Sequence, residues 1–236
     1  MPRPDTIRTR TDTMTAIIVI AAIAAWLLYR HQRPQTGAGA SAEARARQLR
    51  SPLIRLADAV GIQTRRGRQA ARYRAGAEGE RRTAARLAPL RNEGWTILHD
   101  RALPAGRANV DHLAISPLGT VILPDTKRWS ARYRLRVVDG RLLHGNLDVT
   151  DRLRGLRHET AVVSNALGVP VTPLVIMDGA PIDGGELTLG GIRIVPADRA
   201  CAVLRILGRI SGQRHAGEIS NAAERLFPPH TKVHRG

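Results

Sequence analysis

The chain has 236 residues, enough for one sizeable core with appendages, and carries 37 Lys and Arg against 20 Asp and Glu, a net charge of +17. That balance points to an anionic partner, nucleic acid or the anionic face of a membrane, and composition does not choose between them. Aromatic residues make up only 3%, which argues against a reader of single strands built on base stacking. The single cysteine, Cys201, excludes an intrachain disulfide framework and a cysteine-based zinc site.

Residues 13–29 carry no charge and are almost wholly apolar from 17 to 28. As a helix this stretch reaches roughly 25 Å, near the lower limit for a bilayer core. Trp26 and Tyr29 stand where an interfacial aromatic belt belongs, with Arg30 and Arg33 beyond. A cleaved signal peptide is the alternative, but its small-x-small signal, Ala22-Ile23-Ala24, lies inside the apolar run rather than after it. The expectation is an N-terminal tail and membrane anchor at 1–33, crossing the membrane once through residues 14–29. Arg3, Arg8 and Arg10 precede the span, and Arg30, Arg33, Arg45, Arg47 and Arg50 follow it. This bias puts the C-terminal domain in the cytoplasm.

Residues 35–41 have the composition of a flexible linker. Two short helices complete a linker segment at 34–64, with Ser51-Pro52 as a helix start and Gly61 as a stop. The arginine-rich stretch from 45 to 74 is either a solvated basic face or a surface laid against phosphates. A third helix runs from 65 to about 90. Strands are expected at 95–99, 109–116 and 120–127, the last two joined by a tight Pro117-Leu118-Gly119 turn. A further hairpin at 133–138 and 142–144 turns at Asp139-Gly140, and a helix covers 150–167. Strands at 171–177 and 192–195 and helices at 198–207 and 215–226 follow. Gly184-Gly185 and Gly190-Gly191 read as hairpin turns, and the tail frays from Pro228. The pattern is α/β, a mixed sheet flanked by helices in a main domain at 65–210, with a C-terminal helix and tail at 211–236.

Lys127 and Lys232 are the only lysines in the chain. Arg is always charged and presents a wide fork, whereas Lys is a compact ammonium able to orient or deprotonate a water. Lys127 closes the apolar run from Val121, two residues after Asp125, and a period of two puts both on one face of a strand. Pairing Ser116 with Thr120 across the turn sets Asp111 opposite Asp125, the two carboxylates about 5 Å apart. Such a pair needs a compensating charge, and Mg²⁺, which takes one or two carboxylates together with phosphate oxygens, supplies it. Glu80 shares the apolar helix face of Ala84 and Leu87, so its carboxylate needs a partner: the Asp111/Asp125 pair through a metal, or an arginine. Glu78 instead groups with Arg81 and Arg82, as a solvated ion pair does. His112 faces away from Asp111 and reads as a packing or supporting residue.

Gly76-Ala77-Glu78-Gly79-Glu80 on a helix, then Asn109-Val110-Asp111-His112, then Asp125-Thr126-Lys127 with Trp129, resembles the NERD (nuclease-related) domain of the PD-(D/E)xK, restriction-endonuclease-like superfamily. The resemblance is close over 76–143 and looser to about 207. It implies that Asp111, Asp125 and Glu80 are metal ligands for Mg²⁺ or Mn²⁺, and that Lys127 positions or activates the attacking water. It also implies a restriction-endonuclease-like mixed sheet and metal-dependent hydrolysis of phosphodiester bonds in DNA. The family more often has Glu where this chain has Asp125, one methylene longer. Relatives often carry a polar helix residue near the site, and here Arg154, Arg157, His158 and Glu159 are all available. Three readings follow: a membrane-anchored nuclease, a catalytically inactive nuclease fold tethering DNA to the membrane, and a basic protein of the membrane surface.

Overall fold

The computed structural model describes residues 37–49, 65–104 and 108–230. The expected anchor at 14–29 and the second linker helix lie outside the described residues, as does Lys232. Among the described residues, no helix is long and apolar enough to cross a membrane.

Five helices are described: α1 (Ala40–Gln48), α2 (Arg65–Leu87), α3 (Arg154–Leu167), α4 (Ala200–Leu207) and α5 (Ala216–Leu226). The strands are β1 (Thr96–Ala102), β2 (Asn109–Ile115), β3 (Val121–Arg128), β4 (Leu135–Val138), β5 (Arg141–His144), β6 (Leu147–Asp148), β7 (Val171–Asp178), β8 (Leu187–Leu189) and β9 (Ile192–Pro196). Six of them form one mixed sheet in the order β1-β2-β3-β7-β9-β8. Its centre, β3-β7-β9, is parallel, while β1-β2, β2-β3 and β9-β8 are antiparallel. The return from β3 to the parallel β7 runs through a small sheet, β4-β5-β6, and then α3. Asp139 and Gly140, both at positive φ, make the β4–β5 turn, as a two-residue hairpin requires.

Two apolar clusters lie on the two faces of the sheet. Leu113, Ile115, Val121, Leu123, Val175 and Met177 point one way and pack with Leu156, Val163 and Leu167 of α3 and Ile219 and Ala223 of α5. Ala114, Ile122, Leu174 and Ile176 point the other way and pack with Leu87 of α2 and Val203 and Leu204 of α4. Each central strand therefore alternates between two buried faces, and its sequence is a continuous apolar run rather than an alternating one. The mixed sheet flanked by helices is the arrangement expected from the sequence.

Two expectations are corrected. Residues 37–41 are not a free linker: α1 begins at Ala40, with Ala40 and Ser41 buried. Ser41 donates its backbone N–H to Asp100 Oδ2 at 3.1 Å, and Asn109 Nδ2 donates to Ser41 Oγ at 3.1 Å and to Asp100 Oδ1 at 2.9 Å. The small residues that gave the segment its linker composition are what let it approach α2 closely. Nor does the chain fray at Pro228, whose carbonyl accepts the Ala102 N–H at 2.9 Å, while Phe227 is fully buried.

Candidate active site

The β2–β3 hairpin has the register its turn dictates. Ser116 N–H donates to the Thr120 carbonyl at 2.9 Å, and the ladder continues through Ile115 opposite Val121 and Ala114 opposite Ile122. There it stops. The next hydrogen-bonded position sets His112 against Pro124, which has no N–H to give. β3 continues to Arg128 only because its other edge pairs with β7 over its full length. Beyond Ala114 the two strands no longer share a ladder, and the carboxylate of Asp111 bonds to the other strand instead: Oδ2 accepts the Thr126 N–H at 3.2 Å. Asp111 and Asp125 thus occupy the expected register positions, but a backbone defect separates their strands.

Lys127 is clamped on Asp125. Its Nζ stands 2.8 Å from both carboxylate oxygens and hydrogen-bonds Oδ1, while Oδ2 accepts no hydrogen bond among the described residues. Burial alone lowers the Lys127 pKa, but the attraction and hydrogen bond of Asp125, with Asp111 and Glu159 adding to them, outweigh it and hold the ammonium above its ordinary value. Of the two roles open to a lysine here, the electrostatics favour the charged one, orienting a water or an oxyanion, over deprotonating water. Asp111 is pushed well up, first by burial and then by the charge of Asp125.

The fourth member comes from α3. Glu159 is pushed up to about 7, by burial first and then by Asp125, with Lys127 pulling the other way. Of the four polar residues that the helix offers, this is the one that the site feels. A signal for it was present in the sequence. Glu159 lies three residues after Leu156 and four before Val163, both buried, so it belongs to the core-facing stripe by the same spacing that singles out Glu80.

Glu80 is buried, as its helical position predicts, but it stands in the other layer. Its neighbour Gly79 lies over Thr126, and a methyl group there would sit 3.4 Å from Thr126 Cγ2. Asp125 and Lys127 point to the opposite face. The Glu80 carboxyl is raised first by burial and then by Asp111 and Asp100, and the backbone N–H of Gly39 donates to it. Its Oε2 has no hydrogen-bond partner among the described residues. Asp111, Asp125 and Lys127 are therefore brought together directly, whereas Glu80 is linked to them through charge across the sheet.

Under the site, His112 takes the supporting role expected of it. Its Nε2 is 3.2 Å from Thr126 Oγ1 and its Nδ1 is 2.8 Å from Nδ1 of His99. Burial keeps both rings neutral, His99 at about 4 and His112 well below its ordinary value. On the flank, Asp178 at the end of β7 receives Arg82 at 3.3 Å and Arg86 at 3.6 Å. Glu78 pairs with Arg81 and Arg82 at the surface, as its position implies.

With this geometry in view, the family comparison is decisive for the central part of the chain. Residues 75–177 match the family model described as the nuclease-related domain, NERD. This stretch is a nuclease-related domain. NERD is assigned to the PD-(D/E)xK superfamily, and the matched residues contain Glu80, Asp111, Asp125, Lys127 and Glu159. No curated protein and no solved structure matches the chain. The NERD domain suggests a nuclease-like function and contact with nucleic acid.

The donor set suits a divalent cation by its chemistry. Asp111, Asp125 and Glu159 all act on one lysine, with Glu80 across the sheet, and burial first and neighbouring carboxylates second raise the proton affinity of Asp111, Glu159 and Glu80. Hard carboxylate oxygens are what Mg²⁺ and Mn²⁺ take. Among the described residues, however, no group of three or more His, Cys, Asp or Glu side chains is arranged to hold a metal ion. The carboxylates fit a cation in kind. As they stand they form a pair with two more distant neighbours, not a closed cage.

Proposed function

We propose that this protein is a metal-dependent nuclease that hydrolyses phosphodiester bonds in DNA at the Asp111–Asp125–Lys127 site of its NERD domain. The observation that carries this reading is the clamp of Lys127 on Asp125 beside a second, partly buried aspartate, within a nuclease-related domain. Asp111 and Asp125 would hold Mg²⁺ or Mn²⁺, which when bound would polarise the scissile phosphate and stabilise the leaving oxygen. Lys127, kept charged by Asp125, orients the attacking water and faces the charge that builds on the phosphoryl oxygens. Glu159, on α3, is coupled by charge to Asp125 and Lys127 and would add a further carboxylate near a bound cation. Glu80, the third ligand implied by the resemblance, acts on the site from the other layer through charge, and serving as a ligand would require it to reach past the sheet. The charge-free run at 14–29 would tether the domain to a membrane, and its arginine bias supports a cytoplasmic face.

The test is cleavage of plasmid and linear DNA by the full chain in detergent, with Mg²⁺ or Mn²⁺ and with EDTA. Lys127→Ala and Asp125→Asn are expected to lower the rate by about 100-fold or more, the scale of removing one transition-state charge contact. Cleavage that survives EDTA, or is undiminished in Lys127→Ala, sinks the proposed chemistry. A thermal shift on adding Mg²⁺, absent in Asp111→Asn, reads cation binding independently of turnover.

A second reading, a nuclease fold that tethers DNA without cutting it, is favoured by one observation: no set of three ligands is arranged to hold a metal among the described residues. It requires salt-sensitive DNA binding that persists in Asp111→Ala and Lys127→Ala, with no metal-dependent cleavage.

A further inference from the structure

Few as the aromatic residues are, two of them meet beside the site. β3 ends at Arg128, and Trp129 follows it directly, two residues after Lys127 and packed against the main core. The Trp129 ring lies 5.6 Å from the ring of His144 in β5, tilted at 42°, and His144 in turn meets Tyr133 edge-on at 5.6 Å. The group is fixed from below. His144 Nε2 bonds the Ser130 carbonyl at 2.9 Å, and Gly145 packs so closely under Tyr133 that a methyl group there would sit 3.0 Å from Cδ1. Trp129 is half-buried against the main core, whereas Tyr133 is 47% exposed.

Two guanidinium groups stand over these rings, Arg152 at 5.3 Å from the centre of Trp129 and Arg132 at 5.7 Å from that of Tyr133. Of the acids on the neighbouring segments, Asp183 pairs with Arg134, Asp151 with Arg154, and Asp148 accepts from Thr150. From Arg128 to Arg154 the sequence has seven arginines and three aspartates, so the surface around the rings is positive. Rings held in place, one of them open to solvent and bordered by arginines that pair with no carboxylate among the described residues, have the chemistry that takes a nucleic-acid base on the ring and its phosphate on the guanidinium.

We propose that Trp129, Tyr133 and His144, bordered by Arg132 and Arg152, form a stacking platform for an unpaired base of the strand bound at Asp125 and Lys127. The preferred substrate then has single-stranded character next to the scissile bond. This rests on the reading of the Asp125–Lys127 pair as the place where the phosphate sits. A base within a duplex is stacked on its neighbours and presents no free face to Tyr133, so the platform discriminates by strand state rather than by sequence.

The test uses the full chain in detergent with EDTA present, so that binding is read without turnover. Fluorescence anisotropy is measured with a labelled oligo-dT strand and with a labelled duplex. Tyr133→Ala is expected to weaken binding of the single strand by about fivefold or more, the scale of one lost base–ring stack, while duplex binding stays within about twofold. Tyr133→Phe is expected to keep wild-type affinity. Equal affinity of wild type and Tyr133→Ala for the single strand overturns the proposal, and so does an equal loss for both DNAs. Tyr133-dependent binding of single strands without metal-dependent cleavage keeps the platform and removes the nuclease reading. Cleavage with no effect of Tyr133→Ala on single-strand binding removes the platform alone.

Discussion

At the scale of single residues, the site is a contest between burial and charge. Glu159 sits at about 7 against an ordinary value of 4.5, and Asp111 and Glu80 are raised as well. Over the range in which such a group is ionised in the unfolded chain but still protonated in the folded one, the folded form binds more protons, and stability falls as pH rises. His99 and His112 work in the opposite sense. They are held neutral when folded, so their contribution is lost as pH falls below 6.5. Lys127, raised above 10.5, keeps its contribution throughout the neutral range. Above pH 6.5 the carboxyls act alone. In EDTA, the midpoint of thermal unfolding is therefore expected to drop between pH 6.5 and 8.5, and Glu159→Gln to flatten the lower part of that slope. A midpoint that stays level or climbs across this interval contradicts the charge balance described for the site.

At the scale of elements, the hairpin is the most legible part of the sequence. The Pro117-Leu118-Gly119 turn fixes the pairing, and the period of two then places Asp111, Asp125 and Lys127 on one side. The same reasoning did not reveal that the ladder ends at Ala114, because counting positions takes no account of the N–H that Pro124 lacks. Glu159 stayed undecided among four helix residues although its spacing from Leu156 and Val163 puts it on the core-facing stripe, because the stripe alone does not say which site that face covers. The three-residue strand β8 is too short to stand out from the turns beside it. Residues 37–41 misled because glycine-rich composition signals freedom, whereas here it serves close approach. Gly39 has φ +78, and a methyl group there would lie 2.6 Å from the Ala77 carbonyl. Gly39→Ala is accordingly expected to lower stability by about 1–3 kcal/mol, through left-handed strain and the clash with α2. Gly76→Ala, with nothing within 4 Å inside the same helix, is expected to raise it by about 1 kcal/mol. Denaturant titrations of the two variants check both signs, and a destabilised Gly76→Ala alongside a neutral Gly39→Ala is the pattern that contradicts the packing described.

At the scale of the whole molecule, the positive charge is spread well beyond the site. Arg65, Arg66, Arg72 and Arg74 are exposed along α2, and others surround the small sheet. Charge on this scale supplies affinity without sequence information. Binding of duplex DNA is expected to weaken by tenfold or more between about 50 and 200 mM salt, following a slope of about −0.9 for each phosphate neutralised. A flat salt titration removes nucleic acid as the partner of this surface. The charge was plain from composition, but its placement was not. What the sequence could not show is that seven scattered aromatic residues leave two close together at the exit of β3.

The hydrogen bond from Gly39 to Glu80 has a practical consequence for anyone trimming the chain. A boundary drawn at Arg65, where the long helix starts, looks generous by secondary structure. It nevertheless removes the Gly39 backbone donor at Glu80, together with the Ser41 N–H that donates to Asp100. Two buried carboxyls would then lose donors beside Asp111, and a loss of activity in the shortened protein could be mistaken for evidence that the fold does not cut. The smallest piece that keeps the acidic cluster intact begins at or before Gly37.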